Sequence, residues 1–243
     1  MISNAIFGKP NTENIHNETI NAINPYKGFD TEALLVKSFE SLAATHSSNL
    51  LTEFDCSAGI ADIIFFELRK NWQDGSELGE IPSRWAYSLL KLPYRRNFSI
   101  DDYIKISGMS KNYAKNALKQ FEKTGFCQKR NKSSTWIKMR QPRPIVNKIF
   151  AIEAKLKDWK RALMQADRYR YYATQSWVLL DACSIKPAVK NIDQFQRLNI
   201  GLAGISLSGE ISNYYSPTSM PPKSELHYWQ ANSEIAQRIK VSL

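Results

Sequence analysis

Long apolar runs are missing from this chain. Nowhere do about 18 apolar residues follow one another, so no transmembrane helix is expected. Cysteine is scarce: Cys56, Cys127 and Cys183 are the three in 243 residues, far apart and without a Cys-x-x-Cys pair. A disulfide framework and a zinc site are therefore both unexpected. Histidine is equally sparse; His16, His46 and His227 are scattered, and none is given a catalytic part. The stretch Met1 to Glu13 is polar and lacks the apolar centre of a signal peptide. With so little cysteine, a reducing cytoplasm is the expected setting. The length suits one large domain or two small ones with ample core.

Charge, by contrast, is abundant and unevenly placed. The chain carries a net charge of +10. Residues 77–147 hold fifteen Lys and Arg but only five acids, and the remainder balances 18 against 18. A basic module within a neutral one points to a polyanionic partner held chiefly by that module.

Two segments carry the chemistry. In Lys148-Ile149-Phe150-Ala151-Ile152-Glu153-Ala154-Lys155-Leu156, apolar Phe150, Ile152, Ala154 and Leu156 alternate with Ala151, Glu153 and Lys155. The period of two predicts a strand that buries one face and sets an acid two residues from a lysine on the other. Asp62 lies in a second strand-like run, 59–68, alone among apolar neighbours. A carboxylate there needs a partner or a cation. Two carboxylates and a lysine suit Mg²⁺-assisted phosphodiester hydrolysis: the acids hold a hard cation, and the lysine orients water or stabilises developing charge.

These residues resemble the PD-(D/E)XK nuclease superfamily, whose motif is an acid on one strand and acid-any-lysine on the next, after a helix carrying a glutamate. Ala61 stands where the family's proline would be. Asp30 to Leu42 reads as the helix, with Glu32 in line with Leu35, Phe39 and Leu42 on its apolar stripe. Glu32 is thus the match to the helix glutamate. After the Glu-x-Lys strand, Trp159, Ala162, Leu163, Ala166 and Tyr169 form a helical stripe, and Gln165 with Tyr169 looks like the glutamine-any-three-tyrosine motif of part of the superfamily. Strands are expected at 177–180 and 200–205. The resemblance covers about 29–76 and 147–207 and implies an α/β, restriction-endonuclease-like core with a mixed central sheet flanked by helices.

Asp62 and Glu153 are 91 positions apart, and something folded must fill the gap. Residues 82–92 read as a first helix, Ser99-Ile100-Asp101-Asp102 as the capped start of a second, and Ser110 as the cap of a third. A basic hairpin follows, Phe126 to Arg130 against Thr135 to Met139. Three helices and a hairpin over 80–140 resemble a winged helix-turn-helix. Lys111, Lys115 and Lys119 of the third helix would neutralise phosphates, Asn112 or Asn116 read base edges, and Lys129, Arg130 and Lys132 track the backbone or minor groove.

The expected organisation is an N-terminal segment 1–28, a discontinuous nuclease core 29–76 and 147–243, and an inserted DNA-binding domain 77–146. Residues 212–224 read as a loop leading to a final helix, 225–241. The resemblance implies Mg²⁺ or Mn²⁺ bound by Asp62, Glu153, the carbonyl of Ala154 and Glu32. Lys155 would act on water or phosphate, and Gln165 would orient Lys155 or a phosphate oxygen. DNA is the expected partner and a membrane is not; a homodimer or larger nucleoprotein assembly is compatible with the pattern. Two other functions fit the same residues: a DNA-binding regulator built on an inactive nuclease-like scaffold, and an RNA nuclease or the nuclease subunit of a larger assembly.

Overall fold

The computed structural model describes residues 2–10, 28–47, 49–130 and 134–241. They form two compact units, one from residues 1–67 and 148–224, the other from 68–147 and 225–243. Among the described residues no helix is long and apolar enough to cross a membrane.

The first unit is mixed α/β. A short helix α1 (Ile2–Phe7) precedes α2 (Glu32–Ala44), whose start is fixed by Thr31 accepting from the Leu34 N–H at 3.2 Å. Strands β1 (Leu50–Asp55) and β2 (Ile60–Leu68) pair antiparallel. The chain then runs through the second unit, α3 (Ser83–Lys91), β3 (Asn97–Ser99), α4 (Ile100–Ser107), α5 (Lys111–Lys123), β4 (Cys127–Lys129) and β5 (Thr135–Lys138). It returns as β6 (Val146–Lys155), followed by α6 (Trp159–Tyr169), β7 (Gln175–Asp181), α7 (Lys186–Val189), α8 (Ile192–Leu198), β8 (Gly201–Ile205), β9 (Ile211–Tyr215) and α9 (Glu225–Val241).

The central sheet has the order β1-β2-β6-β7-β8-β9. β6, β7 and β8 are parallel neighbours, and β8 pairs antiparallel with β9. The Asp62 side chain meets Ala154 and Glu67 meets Lys148, so β2 and β6 run antiparallel despite the long excursion between them. One face buries Leu35 and Phe39 of α2 against Ile63, Phe65, Phe150, Ile152, Trp177 and Leu179. The other buries Trp159, Ala162, Leu163 and Ala166 of α6 against Val178, Leu180 and Leu202. Alternation assigns the faces: Ile63 and Ile152 go to the α2 side, so Asp62 and Glu153 go to the α6 side. The loop expected over 212–224 begins later than its sequence implies, because Ile211–Tyr215 is the edge strand β9.

The second unit contains its own three-stranded sheet, β3-β5-β4, and among the described residues of 80–140 none adds a strand to the central sheet. Trp85, Tyr103 and Phe121 meet edge to face at its centre. Ser99 and Asp102 form the expected capping box on α4. Ser110 stands at the N-cap of α5 but makes no side-chain cap bond, which corrects its expected role. A 3-10 helix, Trp72–Glu80, had no sequence expectation. Lys138 is fully buried, its Nζ donating to the carbonyls of Leu89, Leu90 and Leu92 at 3.0, 2.8 and 2.9 Å. It thereby satisfies the end of α3, where helix carbonyls lack partners.

The domain boundary differs from the expected one at both ends. Residues 68–76 and helix α9 belong with the basic module, not with the Asp62 unit. Asn232 of α9 accepts from the N–H groups of Ile145 and Val146, and Ser233 donates to Leu78 and Ile81 carbonyls. Those buried polar bonds require an element 85 or more residues away in sequence, which local patterning does not reveal.

Candidate active site and basic helix

Four charged side chains converge in the first unit. Asp62 arrives from β2, half-buried, its Oδ2 accepting from the Ala154 N–H at 2.7 Å. Glu153, near the end of β6, is 1% exposed. Lys155 is the last residue of that strand, and its Nζ lies 3.0 Å from Glu153 Oε1, 3.1 Å from Glu32 Oε2 and 3.1 Å from the Ala154 carbonyl. Asp62, Glu153, Lys155 and Glu32 are thus brought together as the sequence predicts. The route taken by Glu32 is different: it is the exposed first residue of α2, not part of the buried stripe of Leu35, Phe39 and Ala43. It reaches Lys155 where the strand ends.

The electrostatics follow from burial. Desolvation pushes the Asp62 carboxyl above the usual range, aided by the charges of Glu53 and Glu32 and opposed by the Ala154 N–H and Lys155. Desolvation raises Glu153 as well, reinforced by the Asp62 charge and opposed by Tyr169 and Lys155. For Lys155, burial acts to lower the pKa. The hydrogen bond and charge of Glu153, with Asp62 and Glu32, outweigh it and leave the ammonium above the ordinary lysine value. A pair of raised carboxylates beside a fixed cation is a frequent mark of a working site.

Two participants have no role assigned from sequence, although Tyr169 is part of the glutamine-any-three-tyrosine resemblance. Tyr169, at the end of α6, hydrogen-bonds Glu153 Oε2 and lies 2.6 Å from the Ile60 carbonyl, fixing the acid on the side away from Lys155. Its phenol is pushed far above the ordinary tyrosine value by burial and by the Glu153 charge. The apolar spacing of α6 explains its packing equally well, which hid the hydroxyl's contact. Glu53 stands in β1 with φ +48°, between the ladder pairs Thr52–Ile63 and Phe54–Ala61, and so opposite Asp62. A left-handed residue inside a strand has no signature in a single sequence.

Gln165 does not meet Lys155, the first of the two partners expected for it. It lies one turn before Tyr169, and its buried Oε1 has no hydrogen-bond partner among the described residues. It borders a cavity with Asp158, Arg161, Met164 and Arg168. The three short contacts of Lys155 go to Glu153, Glu32 and Ala154.

The donors fit a hard divalent cation. Among the described residues no three His, Cys, Asp or Glu side chains gather closely enough to hold a metal on their own. The oxygen set instead comprises the half-buried carboxylate of Asp62, the buried one of Glu153 and a backbone carbonyl, Ala154 O, with Glu32 at the margin. Carboxylate and carbonyl oxygens are what Mg²⁺ and Mn²⁺ prefer.

In the second unit, α5 buries Ala114, Ala117, Leu118 and Phe121, leaving Lys111, Asn112, Lys115, Asn116 and Lys119 exposed. Tyr113, 57% exposed, joins them. Glu122 is the helix's sole acid. Lys129 and Arg130 are exposed at the end of β4, and the Lys129 ammonium sits 5.7 Å from the Trp136 ring centre. Lys132 lies outside the described residues. No family model, curated protein or solved structure matches the chain in comparisons with all three.

Proposed function

We propose that the protein is a Mg²⁺- or Mn²⁺-dependent endonuclease that hydrolyses DNA phosphodiesters. In this reading the first unit is a restriction-endonuclease-like core, and the inserted basic unit, a winged helix-turn-helix, holds the DNA. The observation that carries it is the meeting of Asp62, Glu153 and Lys155, from two antiparallel strands 91 residues apart in sequence, on one face of the sheet. Structural charge pairs are rarely built this way: two carboxylates raised by burial side by side are costly unless a ligand repays them.

A bound cation would polarise a phosphoryl oxygen and lower the pKa of a coordinated water. Asp62, Glu153 and the Ala154 carbonyl would hold it, with Glu32 joining directly or through water. Lys155 would offset the negative charge that accumulates on the pentacovalent phosphate. Tyr169 would keep Glu153 in its ligating orientation, as a positioning residue. On α5, lysines would neutralise phosphates while Asn112 and Asn116 face base edges.

Cleavage of plasmid DNA in Mg²⁺ or Mn²⁺, set against binding in chelator, tests the assignment. Asp62→Ala, Glu153→Ala and Lys155→Ala are each expected to abolish cleavage and leave metal-free binding largely intact. A folded Lys155→Ala variant that cuts at the wild-type rate would refute the site. Binding without cleavage by the wild type in either metal would favour a DNA-binding regulator.

A further inference from the structure

Lys155 is saturated. Its ammonium has three protons and no acceptor capacity, and three oxygens lie at 3.0–3.1 Å: Glu153 Oε1, Glu32 Oε2 and Ala154 O. Its side chain is 13% exposed. In this arrangement it has no proton free for a water or a phosphate oxygen. The oxygens it occupies are also those a hard cation would take.

Resting on the reading of this site as a divalent-cation centre, the geometry points to an exchange. The Lys155 ammonium is the internal counter-cation of the metal-free protein, standing at the metal's position, and the arriving cation displaces it toward the substrate. The physical reason is charge. Glu153 is buried beside Asp62, and two carboxylates with no positive neighbour would be strongly unfavourable there. Lys155 supplies one positive charge, and a divalent cation in its place supplies two. Both do not fit, because an ammonium and a dication sharing the same oxygens repel each other across a partly desolvated space. Lys155 ends β6, where the chain bends at Leu156 and Lys157, its partner Glu32 is exposed, and its flexible four-carbon side chain can change rotamer. The exchange orders the events, since the lysine charge reaches the phosphate only once the cation has entered.

The test uses the full chain and Mn²⁺. Titration followed by electron paramagnetic resonance is expected to show Lys155→Met binding Mn²⁺ roughly tenfold or more tightly than the wild type, although the variant does not cut. A crystal structure of the wild type with Mn²⁺ is expected to place the anomalous peak among Asp62, Glu153 and Ala154 O. Lys155 Nζ should then lie beyond hydrogen-bond distance of Glu153 and Ala154 O. Mn²⁺ bound with Nζ still on those two oxygens overturns the exchange, as does unchanged or weaker affinity in Lys155→Met; both outcomes leave the cation centre standing. Absence of Mn²⁺ binding in wild type and variant alike overturns the centre and the exchange together. If Lys155→Met does not fold, the position of Nζ in the wild-type Mn²⁺ structure decides.

Discussion

Removing one hydroxyl, in Tyr169→Phe, probes the site without touching a proposed ligand. The phenol serves two acceptors, Glu153 Oε2 and the Ile60 carbonyl, and the ring itself is 1% exposed. Phenylalanine keeps the ring packing and takes the hydroxyl away from both oxygens. Losing a hydrogen bond to a charged group costs about 1.5–3 kcal/mol. Ile60 is 52% exposed, so water can replace the hydroxyl on its carbonyl, and a loss of about 2 kcal/mol, from the Glu153 bond, is expected in urea denaturation of the metal-free protein. Chemistry should change as well. The tyrosine bond opposes the burial that raises Glu153, so its loss moves that carboxyl further up. A raised carboxyl is deprotonated, and so ready for a cation, only above its pKa. The acid limb of the cleavage profile should therefore move to higher pH, with kcat on the alkaline side reduced less than on the acid side. A variant within 0.5 kcal/mol of wild type (about the scatter of surface substitutions), with an unmoved acid limb, would refute the positioning role.

Three further outcomes follow from the same structure. Lys111→Ala, Lys115→Ala and Lys119→Ala combined should weaken DNA binding and reduce the slope of log K against log salt by up to about 2.7, at about 0.9 per lost phosphate contact; an unchanged slope would mean that α5 faces something else. Lys138→Met should destabilise the second unit by about 2–4 kcal/mol, because the carbonyls at the end of α3 lose their donor, and metal binding at Asp62 should be unaffected; full stability by calorimetry would contradict this. Gly201→Ala should destabilise the first unit by about 3 kcal/mol or more, since an added methyl would overlap the Trp177 indole. A soluble, wild-type-like Gly201→Ala in thermal melts would show that the indole moves freely.

Much of this site is local in origin and so legible in sequence. Period-two alternation in 148–156 sets Glu153 and Lys155 on the face opposite Ile152 and Ala154, and a lone acid in an apolar run marks Asp62. The helix beginning at Glu32 and the capping box at Ser99 follow from side chains within four residues of the backbone they bind. Tertiary structure decided the rest. Tyr169 meets Glu153, Glu53 falls opposite Asp62 and Lys155 meets Glu32 only after the strands are paired and α2 and α6 are laid on their faces. Gln165 belongs to the same helix as Tyr169, yet one turn of displacement puts it on a different cavity. Helix α9 joins the basic unit because Asn232 and Ser233 answer backbone groups far away in the chain. Periodicity fixes which face a residue occupies, whereas the partner across that face is set by docking, through contacts between residues that no local pattern connects.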